Sequence, residues 1–160
     1  PAFKTTVVPF DEILCAVAAG KVDGGLIIHE GQLTYHEEAS GKLEKVVDLG
    51  EWWKATTGLP LPLGGNGIRK DLGPERIKRI SAHLLASYRW GLAHRQEALQ
   101  YALKYARDMG SDKADRFVGM YVNEYTLNYG PKGKEAIERF LAAGYAAGQL
   151  SRNVNPEFMG

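Results

Sequence analysis

The sequence predicts an α/β protein, because strand-like and helical patterns alternate in its first third and helical patterns fill its second half. Residues 5–8 (Thr-Thr-Val-Val) are β-branched and typical of a strand. Ile13 and Val17 then fall on one face of a short helix. The run Leu26–Ile28 is apolar on both faces, which favours a buried parallel strand. Residues 5–28 therefore predict a β-α-β unit with a right-handed crossover.

The middle of the chain predicts short elements joined by a proline-rich segment. Residues 32–38 and 50–57 have the composition of short helices, and residues 45–49 are a third strand candidate. The segment 58–69 contains two prolines, which cannot donate to a central ladder. We therefore expect it to be an edge strand or an extended crossing segment.

Four helices are predicted in the second half. The first begins at Gly73-Pro74, since proline suits the first helical position. The others run from about residue 96 to 108, from after Asp112, and from Gly130-Pro131. The spacing of apolar residues predicts that the first of these helices buries a stripe made of Ile77, Ile80, Leu84, Tyr88 and Leu92.

The composition indicates an ordinary folded protein. It has 160 residues, 44% of them hydrophobic, and a net charge of +1, so nothing favours nucleic acid or an anionic membrane surface as a partner. No run is long enough to span a bilayer. The single cysteine, Cys15, lies among apolar residues, which predicts a buried, inert thiol and fits a reducing cytoplasm. The spacing of histidine and cysteine matches no metal motif.

His29 is the residue best placed to perform chemistry. It follows the predicted strand Leu26–Ile28, and open α/β sheets bind ligands outside the carboxyl ends of their strands. An imidazole titrates near neutral pH and can therefore remove a proton from a substrate. A histidine that only bonds backbone at the strand end is the open alternative. Glu30 either orients the ring or faces solvent.

Other polar and aromatic residues favour structural roles. For His36, His83 and His94 we expect solvated or boundary positions. Trp52 and Trp53 are neighbours on a predicted helix and point about 100° apart, so one is expected in the core and the other is free to line a cleft. A polar and aromatic patch favours a helix–helix interface over a pocket wall; it comprises Tyr121, Asn123, Tyr125 and Asn128.

Several segments together resemble the 1,4-dihydroxy-6-naphthoate synthases, enzymes of the futalosine route to menaquinone. The most specific is the run from Lys21 to Tyr35, which contains Leu-Ile-Ile-His-Glu-Gly. The resemblance continues through residues 47–53, 57–64, 69–73 and 120–123 and covers nearly the whole chain. The chorismate dehydratases of the same pathway share the fold but differ at the segment around His29.

The resemblance implies a fold like that of type II periplasmic binding proteins, in which two α/β lobes enclose a cleft. Residues 1–66 would form an α/β lobe that carries the strand-end histidine. Residues 67–160 would form a crossing segment and C-terminal helices that belong to the first lobe. Family members carry a long segment before the point where this sequence begins, so we expect the second lobe plus the C-terminal helices, with the N-terminal lobe segment absent. A separate N-terminal half or a second copy of the chain is then an expected partner.

The resemblance also implies a metal-independent carbon–carbon lyase without a cofactor. Its substrate would be cyclic dehypoxanthine futalosine, from which His29 removes a sugar hydroxyl proton. Glu30, Trp53, Leu61 and Leu63 would contact the substrate, the last three as an apolar wall. Two alternatives remain open. One is a solute-binding protein for a small carboxylate, since one fold serves many functions. The other is an incomplete, inactive fragment.

Overall fold

A computed structural model describes residues 3–28, 31–38, 41–105 and 111–159 of the chain. Regular secondary structure in these ranges is helical, and they contain no β-strand. The chain divides into two compact units, Pro1–Val47 and Asp48–Gly160. The boundary expected after residue 66 stays a prediction.

The sheet of the predicted α/β class is not observed in the described ranges. Residues 5–8, 26–28 and 45–48 have no regular structure, and a helix begins at Leu49. The proline-rich residues 60–69 are likewise irregular. A strand exists only when its N–H and C=O groups bond to a neighbouring strand. These segments have the residue types of strands, but none pairs with another here.

In its described residues the first unit forms the helices α1 (Ile13–Ala18) and α2 (Gly31–Glu38), and a 3₁₀ turn over Phe10–Glu12 precedes α1. Leu14 is the buried side chain of α1. The helix ends at Ala18, and Gly20 follows its C-cap with a φ of 66°, in the left-handed region that glycine adopts at little cost.

The thiol of Cys15 is exposed, so the predicted burial is wrong. Leu14, its neighbour on α1, is the residue that turns inward. Because adjacent residues on a helix point about 100° apart, the burial of Leu14 directs Cys15 outward. An apolar neighbourhood in the sequence was therefore not sufficient evidence of a buried position.

The described residues of the second unit form six α-helices. They are α3 (Leu49–Thr57), α4 (Pro74–Ala93), α5 (Arg95–Leu103), α6 (Ser111–Tyr121), α7 (Glu124–Leu127) and α8 (Gly130–Ala146). α3 begins at an N-cap, Asp48, whose Oδ1 accepts hydrogen bonds from the backbone N–H groups of Gly50 (2.9 Å) and Glu51 (3.0 Å). It ends at Gly58, which has a φ of 75°. α4 and α8 begin at the predicted Gly-Pro pairs.

The predicted buried stripe of α4 is only partly correct. Ile77 is buried, and Tyr88 and Leu92 are half-buried, but Ile80 and Leu84 are exposed. The five residues span about 120° of the helix circumference, at about 100° per residue. The neighbours of α4 within its unit are α5, α7 and a 3₁₀ turn before the helix, and they cover only the side of Ile77, Tyr88 and Leu92.

The apolar core of the described residues is small. Its buried apolar residues are Leu14, Trp53, Leu59, Ile77, Ala114 and Ala136. Among the described residues, no helix combines the length and the apolar character that a membrane span requires.

Candidate functional site

His29 and Glu30, the central pair of the sequence prediction, lie outside the described residues. The chain that precedes them, Gly24–Ile28, has no regular structure, and Leu26 and Ile28 are exposed rather than buried. The chain that follows is α2, in which Gly31 and Thr34 are buried. The predicted setting of a buried strand end is thus not observed, because no sheet covers residues 26–28.

The segment before His29 is held close to α1 at one point. A Cβ at Gly25 would lie 2.3 Å from Cγ2 of Ile13 and 3.2 Å from Cγ2 of Val17. No side chain fits at 2.3 Å, so the absence of a Cβ allows the segment to run against α1. A Cβ at Gly24 would meet nothing within 4 Å. Gly25 therefore positions the backbone four residues before the candidate base.

The predicted apolar wall, Trp53, Leu61 and Leu63, lies in the second unit. Trp53 is only 7% exposed, and its ring meets Phe140 of α8 edge to face, with 5.5 Å between ring centroids and 77° between planes. Leu61 is half-buried, whereas Leu63 is 63% exposed. Leu63 is therefore accessible to a ligand, and Trp53 has a packing role within this unit.

The tryptophan pair of α3 divides as predicted. Trp53 is buried, while Trp52 is 54% exposed, with 6.4 Å between the ring centroids. The Nε1 atom of Trp53 is buried and has no hydrogen-bond acceptor in the part of the chain that the structure describes. An unpaired buried donor costs about 1–3 kcal/mol.

The glycine-rich segment that follows Leu63 is anchored to the helices. The Asn66 side-chain amide donates to the hydroxyl of Tyr88 on α4. A Cβ at Gly65 would lie 3.3 Å from the hydroxyl of Tyr129, so this glycine permits a close approach. These contacts fix one end of the segment that carries Leu61 and Leu63.

The polar and aromatic patch around α7 consists largely of helix caps. Oδ1 of Asn123 accepts from the N–H of Tyr125 (3.0 Å), and Oγ1 of Thr126 accepts from the N–H of Asn123 (3.1 Å). This is a capping box. Asn128 similarly accepts from the N–H of Gly130 (2.8 Å) at the start of α8. The sequence signal for this cap is an asparagine with a threonine three residues later, Asn123 and Thr126.

The described histidines have structural or open surroundings. His94 stacks on Trp90, with 4.4 Å between ring centroids, and its Nδ1 lies 2.9 Å from the Trp90 carbonyl oxygen at the end of α4. His83 lines a shallow hollow on the exposed side of α4 with Arg76, Arg79 and Ile80. His36 is exposed beside Tyr35. In the described residues, no group of three or more His, Cys, Asp or Glu side chains is arranged to hold a metal ion.

Three ion pairs lie in the described part of the second unit, one of them between Lys70 and Glu157. Nε of Arg95 donates to Oδ1 of Asp115 (2.7 Å), and a terminal guanidinium nitrogen donates to the Asp115 carbonyl oxygen (3.0 Å), which ties α5 to α6. Arg69 pairs with Asp71 before α4. The hydrogen bond from Arg69 lowers the pKa of the Asp71 carboxyl and raises the pKa of the guanidinium.

Comparison with known proteins shows which family the chain resembles. A family model described as menaquinone biosynthesis matches residues 1–146. A 1,4-dihydroxy-6-naphthoate synthase of Thermus thermophilus is 39% identical over 157 residues, which are 98% of this chain and 57% of that relative. One from Streptomyces coelicolor is 40% identical over 145 residues, which are 91% of this chain and 50% of the relative. The chain thus spans about half the length of the curated relatives it matches.

A solved structure also has this fold. A protein from Archaeoglobus fulgidus is 40% identical and superimposes with a TM-score of 0.81, over 89% of this chain and 53% of its own. The match again covers about half of the larger molecule.

Proposed function

This chain belongs to the menaquinone-biosynthesis family, and from that premise we propose that it provides part of a 1,4-dihydroxy-6-naphthoate synthase. The proposed reaction is the carbon–carbon cleavage that converts cyclic dehypoxanthine futalosine to 1,4-dihydroxy-6-naphthoate. The observation that carries the proposal is the 39% identity to the Thermus thermophilus enzyme across 98% of this chain. The proposed compartment is the cytoplasm, where a lone thiol such as Cys15 stays reduced.

The proposed general base is His29. It removes a proton from a sugar hydroxyl of the substrate. The resulting alkoxide becomes a carbonyl as the adjacent carbon–carbon bond breaks, and the electron pair of that bond leaves on the departing carbon, which then takes up a proton. Support comes from the titration range of imidazole and from the resemblance of the segment around His29 to the family. Glu30 is proposed as a substrate contact beside it.

The proposed fold of the whole enzyme is the two-lobed arrangement of type II periplasmic binding proteins. Residues 1–66 would contribute to one lobe, and 67–160 the crossing segment and helices of the other. The A. fulgidus structure supports a common fold for the matched half. The strand-like segments 5–8 and 26–28 would then gain neighbouring strands from the portion that the match leaves uncovered.

The proposed apolar wall for the ring system of the substrate is Leu61, Leu63 and Trp53. Of these, Leu63 has the exposure that a ligand contact needs. Trp53 would act by supporting the wall from beneath, since its ring is buried against Phe140.

Product analysis tests the proposed reaction. Cyclic dehypoxanthine futalosine is incubated with the chain alone, and with the chain plus the part of the T. thermophilus enzyme that lies outside the match. We expect naphthoate in the second incubation. Its absence from both, with the two polypeptides shown to associate, would contradict the proposed reaction and favour a non-catalytic role.

A histidine substitution tests the base. His29→Ala is expected to lower kcat by about 10²- to 10⁴-fold and to abolish the decline in rate at acid pH. His83→Ala, which removes an exposed histidine of α4, is the matched control and should retain the parental rate and pH profile. Full activity in His29→Ala would exclude this residue as the base.

A further inference from the structure

Residues 151–159 run back along α8, and we call them the return segment. They start beside the end of the helix, where the N–H of Leu150 donates to the carbonyl oxygen of Gly144 (3.3 Å). They reach its beginning, where the ring of Phe158 meets the ring of Tyr129 edge to face, with 6.0 Å between centroids. The stretch from Leu150 to Phe158 spans about 26 Å when extended, and so do the 17 residues of α8, so the return segment is nearly fully extended.

One face of the return segment packs against the second unit. Its half-buried and exposed residues alternate: Val154, Pro156 and Phe158 are half-buried, and Asn155, Glu157 and Met159 are exposed. This alternation is typical of an extended chain with one face on a packed surface. Nζ of Lys134 lies 5.4 Å from the centroid of the Phe158 ring, and Glu157 pairs with Lys70 before α4. The return segment is therefore fastened near the start of α8.

Tyr129 connects the return segment to the segment that carries the proposed apolar wall. Its half-buried ring contacts Phe158, and its hydroxyl lies 3.3 Å from where a Cβ of Gly65 would be. Leu63, which is 63% exposed, lies two residues before Gly65. We call residues 60–66 the wall segment. It has no regular secondary structure, so its placement depends on anchors made by side chains such as Tyr129.

We propose that Phe158 is a positioning residue for the apolar wall. By holding Tyr129 against the backbone at Gly65, it keeps Leu63 where the ring system of the substrate binds. The inference rests on the proposed function and deepens it, because it names a residue that acts on the substrate through other residues. The wall contacts rings that take no part in the proton transfer at His29, so loss of Phe158 should weaken substrate binding rather than slow the chemistry.

Methyl NMR tests the positioning in the 160-residue chain alone. With isotopically labelled leucine methyl groups, Phe158→Ala should shift the Leu63 resonances and lower the Leu63 methyl order parameters. Leu14 lies in the first unit and should keep its parental values in the same sample. Met159→Ala is the matched control, because Met159 is the next residue and is 51% exposed. It should leave Leu63 unchanged, and thermal melts show that each variant is folded.

A pair of substitutions tests the contact between Tyr129 and Gly65. Gly65→Ala places a methyl group 3.3 Å from the Tyr129 hydroxyl, which is a tight contact, so it should displace the wall segment and shift the Leu63 resonances. Tyr129→Phe removes the hydroxyl. Adding Gly65→Ala to Tyr129→Phe should therefore shift Leu63 less than adding it to the parent. Gly64→Ala is the control, because its methyl group meets nothing within 4 Å.

Kinetics test the consequence for the substrate. The chain is combined with the part of the T. thermophilus enzyme that lies outside the match and is supplied with cyclic dehypoxanthine futalosine. Loss of an aromatic pair predicts that Phe158→Ala raises KM about two- to tenfold, while kcat stays within about twofold of the parent. Phe158→Tyr keeps the ring and should restore the parental KM. A lower kcat at unchanged KM would overturn the positioning role.

The outcomes separate this inference from the proposed function. Altered Leu63 methyl groups in Phe158→Ala, with no naphthoate from the parent mixture, would uphold the positioning of the wall segment and contradict the reaction. Parental Leu63 resonances in Phe158→Ala would overturn the inference, whether or not naphthoate forms. So would equal effects of Gly65→Ala in the parent and in Tyr129→Phe, because the hydroxyl would then not be the point of contact.

Discussion

Gly25 is the position where the structure makes its sharpest prediction. In Gly25→Ala the new methyl group would lie 2.3 Å from Cγ2 of Ile13, a branch methyl whose χ1 rotation is restricted because β-branched side chains in a helix keep one strongly preferred rotamer. Relief requires α1 and the segment 24–28 to separate. Overpacking of this kind costs about 1–3 kcal/mol, which lowers the equilibrium constant for folding of the first unit by about 5- to 150-fold.

The matched control is one residue away. In Gly24→Ala the methyl group meets nothing within 4 Å, and Gly24 does not have a positive φ. Chemical denaturation by far-ultraviolet circular dichroism, with amide exchange of α1 followed by mass spectrometry, should give parental values for Gly24→Ala and a loss for Gly25→Ala. The tryptophans all lie in the second unit, so their fluorescence should not change.

A second substitution identifies the clash. Ile13→Ala removes Cγ2, after which the nearest atom to the new methyl is Cγ2 of Val17 at 3.2 Å. The double variant Ile13→Ala/Gly25→Ala should therefore be more stable than the sum of the single effects predicts, with a favourable coupling of about 1–2 kcal/mol. Strict additivity, or a Gly24→Ala variant as unstable as Gly25→Ala, would refute the steric argument.

Three further predictions concern the second unit. Trp53→Phe should lower the free energy of unfolding by no more than about 1 kcal/mol, because the lost ring area is offset by removal of the unpaired Nε1–H. Trp53→Ala should lower it by about 3–5 kcal/mol. Equal losses of the two variants in urea titrations would contradict this prediction. Asp48→Ala should destabilise α3 by about 1 kcal/mol and Asp48→Asn by less, since asparagine also caps; equal losses in urea would argue that the two bonds to Gly50 and Glu51 contribute nothing. The pKa of Asp71 is lowered in the folded state, so the stability that its pair with Arg69 contributes is present above the ordinary carboxyl pKa and is lost as pH falls through the lowered value. The difference in unfolding free energy between the parent and Asp71→Asn should therefore shrink in acid. A difference that grew on acidification would contradict this direction of the pH dependence.

The helices were predictable because their signals are local. Gly73-Pro74 and Gly130-Pro131 mark the observed starts of α4 and α8. Gly58 ends α3 with a positive φ. Such signals act within one turn of the chain, so they are the same whatever surrounds the helix.

The site was less predictable, because it depends on contacts between distant residues. Nothing in the spacing of Arg95 and Asp115 indicates that they pair, and nothing local joins Trp53 to Phe140. The close approach of Gly25 to Ile13 is equally non-local. The division of Trp52 and Trp53 was predictable because it follows from helical geometry alone, although which ring is buried did not follow.

The predictions of burial that the structure contradicts are all of one kind, in which an apolar residue expected to be buried is exposed. Ile80, Leu84, Leu26 and Ile28 were all predicted to be buried and are all exposed. Random error would also place polar residues inside, yet the only buried polar or charged residue in the described ranges is Thr34. Apolar residues at a helical or strand period indicate the face that is buried in the folded protein. If the chain provides part of a longer protein, as proposed above, we expect the two exposed residues of α4 and the two before His29 to be covered there. Binding of the part of the T. thermophilus enzyme that lies outside the match should reduce amide exchange in residues 24–28 and in α4, and unchanged exchange in both would contradict this expectation.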